Sequence, residues 1–501
     1  MKFLKAITAI FSICAGLISC TEGKEGEQKT YTIQFTENPV MVGSNGGTKS
    51  VAFVSKHQWT AAQVDTWISD VSVADGEVTF TVAPNQEETS RDGKIRFTVS
   101  GDDFTKDLTV RQAGNTGKLS IETTKVTMET LGGEDEIKVT SGENWNVTVS
   151  SGDWLKATRK NSSTLLLEAD VNFTGTKRET EVHVKTVSGK ESVTVQVTQD
   201  ADRSAFAGAN TAEGRHLVYK TGGLISQVTS ENVYDVSDGV KAIEMQFNHK
   251  NGNAFEPHSI FIFEVDLTKN VTILASCVND DPASIKTTDK EVTATAPVRD
   301  HLHAMQNKRP ELKVLCGVNG DFCYGQGSSS ERNSLLHGVM HKDGNCLKST
   351  FDGGTACTVF AMMKDGSARI LTQSEYAAQK SNIQEAVGGR QTLINNGQTV
   401  NFTDTRLEPR TAVGVSREGD KVYLLVVDGR RSGYSQGASY AVLAQIFQAY
   451  AVFDAINLDG GGSSTFLVNK ASANKGFETR NRPTDSTGDR AVPNGLAVVR
   501  K

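Results

Sequence analysis

What this sequence lacks narrows it before any motif is read. It has no strong charge of either sign: 53 Lys and Arg stand against 59 Asp and Glu, a net −6. A general nucleic-acid binder usually carries a basic face, so no nucleic-acid partner is expected. Beyond the first twenty residues there is no long apolar run, which excludes a many-span membrane protein. Proline is scarce, 9 in 501 residues, and the 37% hydrophobic and 22% charged residues are those of a folded chain. Cysteine is scarce too, and 7 are too few for a disulfide scaffold. The length suits about three domains.

The N-terminus reads as an address. Lys2 and Lys5 precede an apolar stretch over 6–18 that is too short for a comfortable spanning helix. It ends in Leu17-Ile18-Ser19-Cys20, which resembles a bacterial lipoprotein signal. The resemblance implies a signal peptide over 1–19, cleavage before Cys20 and acylation of that cysteine. The chain would then sit in the cell envelope on the outer membrane, periplasmic or surface-exposed, held through its lipid alone. Residues 20–29 read as a polar tether. The mature chain keeps Cys277, Cys316, Cys323, Cys346 and Cys357 outside the cytosol, with room for one or two disulfides and an odd thiol. No His/Cys spacing of the zinc type occurs.

An internal repeat follows. Trp59 and Trp145 are 86 residues apart, as are Gly46-Gly47 and Gly132-Gly133. Trp67 and Trp154, Asn85 and Asn172, Arg91 and Arg178, and Gln112 and Gln199 are each 87 apart. A nearly constant offset means two tandem units, over 30–114 and 115–200. Alternating runs such as KIRFTV and SVTVQVTQ, with turn residues every ten or so positions, predict antiparallel β-sandwiches of the immunoglobulin-like kind. The Trp pair, the Asn and Arg after it and the closing Gln resemble the BACON domain of Bacteroidetes carbohydrate-active proteins. The resemblance implies carbohydrate binding. The alternative is a spacer, because one Trp per sandwich is ordinarily core.

From about residue 201 the pattern becomes mixed α/β, an α+β domain over 201–501. Segments 259–267 and 271–277 read as paired strands, 300–307 as a helix and 311–318 as a buried strand running into Asn319-Gly320-Asp321. Strand 421–427 ends in Asp428-Gly429-Arg430. Strand 451–457 ends in Leu458-Asp459-Gly460-Gly461-Gly462-Ser463-Ser464-Thr465. Between them 438–450 shows a helical apolar face, with Ser435 or Ser439 as its cap. Three carboxylates thus stand at strand ends, where separate strands bring side chains together. Glycines there let backbone approach a ligand and present successive N–H groups to an anion.

NGDF, RTAVGV, DGRRSGYSQG, NLDGGGSSTF and DRAVPNGLAV occur in that order. Together they resemble the phosphodiester glycosidase family, with the core of the likeness over 314–501. The resemblance implies hydrolysis of a GlcNAc-α-1-phosphodiester type of bond on the sugar side of the phosphate, in a phosphorylated glycan or sugar-phosphate polymer. It carries the family pattern onto Asn319, Asp321, Arg410, Asp428, Arg430, Asp459, Ser463, Ser464, Thr465 and Asn494. The sequence departs from the family at Val442, where an acidic residue is usual, at Asp489 in place of Glu, and at Pro493. Arg410, Arg430 and the loop Gly460-Gly461-Gly462-Ser463-Ser464-Thr465 are the expected phosphate ligands, since guanidinium forks suit phosphate oxygens. Asp459 or Asp428 is the expected base or nucleophile, and Asp321 the expected orienting group. The resemblance makes no cofactor certain, and a divalent ion on the three aspartates stays open. His337 and His341, four apart but interrupted by Gly338, read as structural. Two other readings remain: a surface glycan-binding lipoprotein without catalysis, and a metal-assisted phosphodiesterase.

Overall fold

The computed structural model describes residues 31–115, 118–286, 293–323, 335–352, 354–485 and 488–501. The signal and tether, with Cys20, lie outside the described residues.

Strands between Ile33 and Gln112 form two four-stranded sheets, and strands between Leu119 and Gln199 form two more. Each pair of sheets encloses one apolar core, in which Trp59 and Trp145 are buried. The residues that announced the repeat make the same contacts twice. Arg91 lies 4.4 Å over the Trp67 ring and donates to Gln112 Oε1 at 2.8 Å; Arg178 lies 4.7 Å over Trp154 and donates to Gln199 Oε1 at 2.8 Å. Asn85 and Asn172 each donate to two main-chain carbonyls near the end of their unit. These side chains close the sandwiches, and a Trp face covered by Arg is not an open sugar platform.

The C-terminal domain is built around three sheets. One has eight strands and includes Ala254–Asp266, Lys421–Val427, Arg410–Val415 and Asp454–Leu458 side by side. A five-stranded sheet contains Val271–Cys277, Asn494–Arg500 and Lys313–Asn319. A second five-stranded sheet contains Ile383–Gly389 and Met340–Lys342. All three contribute to one core, with Leu424, Val426, Ile456 and Leu458 from the first, Val318 and Leu496 from the second, and Met340 and Val387 from the third. Among the described residues every strand pair in this domain is antiparallel.

The predicted helices form as Val298–Lys308 and Tyr440–Ala449, the latter capped by Ser439. Segments 259–267 and 271–277 are strands, but not partners. Ala254–Asp266 pairs with Lys421–Val427, whereas Val271–Cys277 pairs with Asn494–Arg500. The turn between them passes the chain from one sheet to another, a step that alternation alone does not distinguish from a hairpin. The five cysteines of the mature chain are present as thiols.

Candidate active site

Three strand ends meet at one rim of the core. Lys313–Asn319 leads to Asp321, Lys421–Val427 to Asp428, and Asp454–Leu458 to Asp459. Arg410–Val415 and Asn494–Arg500 run the other way and begin at the same rim. Asn319, fully buried, joins two of the sheets there. Its amide donates to the Asp459 carbonyl at 2.6 Å, and its Oδ1 accepts from the Thr411 hydroxyl at 2.8 Å and the Thr465 N–H at 3.1 Å. Asn494 holds the next residues: its Oδ1 accepts from the Asp321 N–H at 2.8 Å and its main-chain oxygen from the Gly320 N–H at 3.2 Å. An unmet buried partner costs about 1–3 kcal/mol, so the rim is fixed by these two amides.

The three aspartates occupy different environments. Asp428 is 1% exposed and fully engaged. Its Oδ1 accepts from Asn481 at 2.8 Å, and its Oδ2 from the Tyr434 hydroxyl at 2.9 Å and the Arg482 N–H at 2.7 Å. Burial pushes its carboxyl up, and those donors pull it back. Its oxygens organise the loops around it, which fits a positioning residue better than the expected base or nucleophile. Asp321 is equally buried; its Oδ2 accepts from the Gly338 N–H at 2.7 Å, and the Phe322 N–H also bonds the carboxyl group. Its Oδ1 has no partner among the described residues. Burial raises this carboxyl to about 8; the Gly338 N–H and the buried Lys348 ammonium oppose the rise, and the charge of Asp459 adds to it. Gly388 makes room for it, because a Cβ there would stand 2.5 Å from Asp321 Oδ2.

Asp459 alone of the three stays partly open to solvent. Burial raises it to about 6, opposed by the Ser463 hydroxyl, the Arg490 charge and the Gly460 N–H, which donates at 2.9 Å. Asp321 and Asp459 therefore form a pair pushed to different values by their surroundings, the pattern that separates acid from base in enzyme sites.

The glycine turn differs from the expected cradle of free N–H groups. The Gly460 N–H donates to Asp459, Gly461 to the Pro409 carbonyl at 2.9 Å, Ser463 to Gly460 at 3.2 Å, Ser464 to Gly461 at 3.3 Å and Thr465 to Asn319. A short 3-10 turn over Gly461–Ser463 makes two of these bonds, those of the Ser463 and Ser464 N–H groups. The Thr465 hydroxyl is spent on the Ser463 carbonyl at 3.0 Å. The Ser464 hydroxyl is buried and has no partner among the described residues. What the missing side chain at Gly462 provides is room for an ion pair. A Cβ on Gly462 would stand 2.1 Å from Asp485 Oδ1 and 2.2 Å from Arg490 Nη2, so its absence admits that ion pair, whereas Arg430 Nη1 would lie at an ordinary contact distance, 3.5 Å, from a Cβ on Gly461. Two guanidinium groups thus flank the turn, Arg490 paired with Asp485 at 2.7 Å and Arg430 with Glu408 at 2.5 Å. Arg490 also reaches the Ser463 hydroxyl at 3.5 Å.

Arg410 is not gathered with this set. Its guanidinium donates to the Ala438 carbonyl at 3.2 Å and the Arg406 carbonyl at 3.4 Å, and lies 4.3 Å from the Tyr440 ring centre. Successive strand residues point to opposite faces: Ala412 joins the core under Tyr440–Ala449 and Val413 the core under the rim. Arg410 shares the face of Ala412. Asn481, Tyr434, Gly388 and Arg490 entered no sequence-level site. Only Tyr434, inside DGRRSGYSQG, and Arg490, inside DRAVPNGLAV, lay within quoted motifs.

His337 and His341 do not act as a pair. His341 lies in a strand and meets the Tyr376 hydroxyl at 2.9 Å, while His337 stacks on Phe322 at 5.9 Å; burial lowers each to about 4. Nor do the three aspartates converge on a common point. Among the described residues no three His, Cys, Asp or Glu side chains lie close enough together to hold a metal ion, so this donor set does not fit a divalent ion.

Residues 313–499 match the phosphodiester glycosidase family model. The C-terminal domain is a phosphodiester glycosidase domain. Residues 57–113 and 143–200 match the BACON model, that of an N-terminal binding domain, so the two sandwiches are BACON domains. The chain is 29% identical over 152 residues to N-acetylglucosamine-1-phosphodiester alpha-N-acetylglucosaminidase of Mus musculus, covering 26% of this chain and 28% of that protein. The protein of the same name in Bos taurus is 29% identical over 154 residues, 25% of this chain and 29% of the bovine protein. The match thus spans less than a third of the length of either relative. Among solved structures, the zebrafish catalytic domain of the same enzyme, auto-inhibited by its pro-peptide, overlays with a TM-score of 0.39 at 21% identity, over 54% of this chain and 87% of that one. Asp321, Asp428, Asp459, Arg410, Arg430 and Arg490 all fall inside the matched span.

Proposed function

We propose that this protein is an exported glycosidase that hydrolyses a sugar-1-phosphodiester of the GlcNAc-α-1-phosphate type on the sugar side of the phosphate. The observation that supports it most is the pairing of a half-open Asp459 with two guanidinium groups across the glycine turn. A glycosyl phosphodiester presents both features that such a site can use: an anomeric carbon and a phosphate anion beside it.

The leaving group, a phosphate monoester with a second pKa of about 6, departs with little help from an acid. Rate then comes from holding the phosphate and from a carboxylate at the cationic sugar carbon. Arg430 and Arg490 take the phosphate. Asp459, ionised above about 6, acts as nucleophile or as the base that activates water. Asp321, raised to about 8 by burial, keeps its proton near neutrality and offers it as a hydrogen bond from an oxygen that has no other partner among the described residues. Asp428 holds Tyr434, Asn481 and Arg482 in place. In the same reading Cys20 carries lipid, the BACON domains lift the phosphodiester glycosidase domain off the outer membrane, and the substrate is a phosphorylated glycan or a sugar-phosphate polymer.

The test is incubation with the methyl ester of α-GlcNAc-1-phosphate. Free GlcNAc is the expected product. GlcNAc-1-phosphate would mark a phosphodiesterase, and binding without turnover a glycan-binding protein. Asp459→Asn should lower GlcNAc release by about 10²–10⁴-fold, the usual worth of such a group.

A further inference from the structure

Behind Asp428, on the same face of the eight-stranded sheet, lies a cavity of about 130 Å3. One water needs roughly 10–15 Å3, so the space admits a larger group. We infer that it is a second anion subsite, taking a phosphate group on the aglycone side of the substrate, with Arg482 as the guanidinium that binds it. This rests on the glycosidase reading for the identity of the substrate, and on the cavity alone for the existence of the subsite.

The charged residues in the wall are Arg480, Arg482 and Glu244. Glu244 is committed, accepting from Arg480 at 2.7 Å through each oxygen and from the Tyr234 hydroxyl at 2.8 Å. Arg482 has no carboxylate partner among the described residues. Its guanidinium lies 4.3 Å from the Tyr434 ring centre, and that ring is fixed because its hydroxyl donates to Asp428. The main-chain N–H of Arg482 donates to the same carboxylate oxygen, so backbone and platform share one anchor. A guanidinium laid on an aromatic face keeps its N–H fork at the edge, available to an oxyanion. Ser230, Asn232 and Gln246 add neutral donors to the wall.

The cavity is also joined to the rim where the bond would break. Asn481, adjacent to Arg482, donates to Asp428 at 2.8 Å and to the Ser464 carbonyl at 2.9 Å. The chain from glycine turn to cavity wall is therefore Ser464, Asn481, Arg482. A phosphate held there would belong to a group lying beyond the scissile linkage. Surface packing on Tyr434 would account for the ring contact but not for a cavity walled by polar side chains beside it.

The experiment uses the full chain. Inorganic phosphate is titrated into wild type, Arg482→Ala and Arg482→Lys, and binding is followed directly. Arg482→Ala should weaken one phosphate-binding event at least tenfold, with Arg482→Lys recovering part of it; unchanged binding overturns the subsite whatever happens to turnover. In parallel, kcat/KM is measured for the methyl ester and for an ester whose alcohol portion bears a second phosphate. Arg482→Ala should lower the ratio of the second to the first at least tenfold, through KM. Altered phosphate binding with an unchanged ratio would overturn the aglycone assignment and leave a site for free phosphate. Altered binding with neither ester cleaved by wild type would defeat the glycosidase reading and leave the subsite standing.

Discussion

At the scale of single residues, the site is distinguished by what surrounds three identical side chains. Asp428 receives three donors, Asp321 receives main-chain N–H groups but keeps Oδ1 without a partner among the described residues, and Asp459 keeps an opening to solvent. Burial is the leading cause of the rise at all three, and the strength of opposing donors sets how far each goes. The sign of the pH dependence follows. Asp459 must lose its proton to act, so activity rises as pH passes about 6. Asp321 must keep its proton to donate, so activity falls as pH passes about 8, where a new charge would also appear beside Asp459. Because each charge acts on the other, the two limbs belong to the pair. A bell-shaped kcat/KM profile with limbs near those values is expected, and Asp321→Asn should remove the alkaline limb. A flat profile between pH 5 and 9 would contradict the assignment.

At the scale of elements, the sequence was most legible where a run of apolar residues ended in a chemically distinctive string. The strands before Asp321, Asp428 and Asp459 formed as expected, and Asn319 and Asn494 fell into the rim. Two features were not legible. Which sheet a strand joins depends on contacts far along the chain, so Val271–Cys277 was given the wrong partner. Which face an arginine takes depends on one residue of register, so Arg410 was placed at the phosphate although its strand turns it toward Tyr440. Arg490 lies in the DRAVPNGLAV motif, but a motif does not say which of its side chains reaches the glycine turn; the contact above Gly462 does. The second BACON domain is likewise more than a bead on a string. Arg215 donates to the Phe173 carbonyl at 2.6 Å, and Phe173 packs against Phe206, His216 and Tyr219. Removing residues 20–114 should leave the melting temperature of the phosphodiester glycosidase domain unchanged. Removing 20–200 should lower it by about 3 °C, the effect of uncovering roughly 2 kcal/mol of aromatic contact. Equal melting temperatures for the two truncations, followed calorimetrically, would show that the seam contributes nothing.

At the scale of the whole molecule, the proposed function places two BACON sandwiches between a lipid anchor at Cys20 and the phosphodiester glycosidase domain. The anchor is tested by fractionation: Cys20→Ala should move the protein from the membrane to the soluble envelope fraction, and retention in the membrane would require another attachment. The near-neutral charge is compatible with the proposed substrate, whose phosphate would be met by a few arginines at one rim and not by a basic surface. The central claim is that these arginines hold a phosphate while Asp459 serves the sugar carbon. The most direct measurement is hydrolysis of the α-GlcNAc-1-phosphate methyl ester in water enriched in 18O, with both products read by mass spectrometry. The account predicts the label in GlcNAc and none in the methyl phosphate; label in a phosphate product would mean that the P–O bond is the one broken.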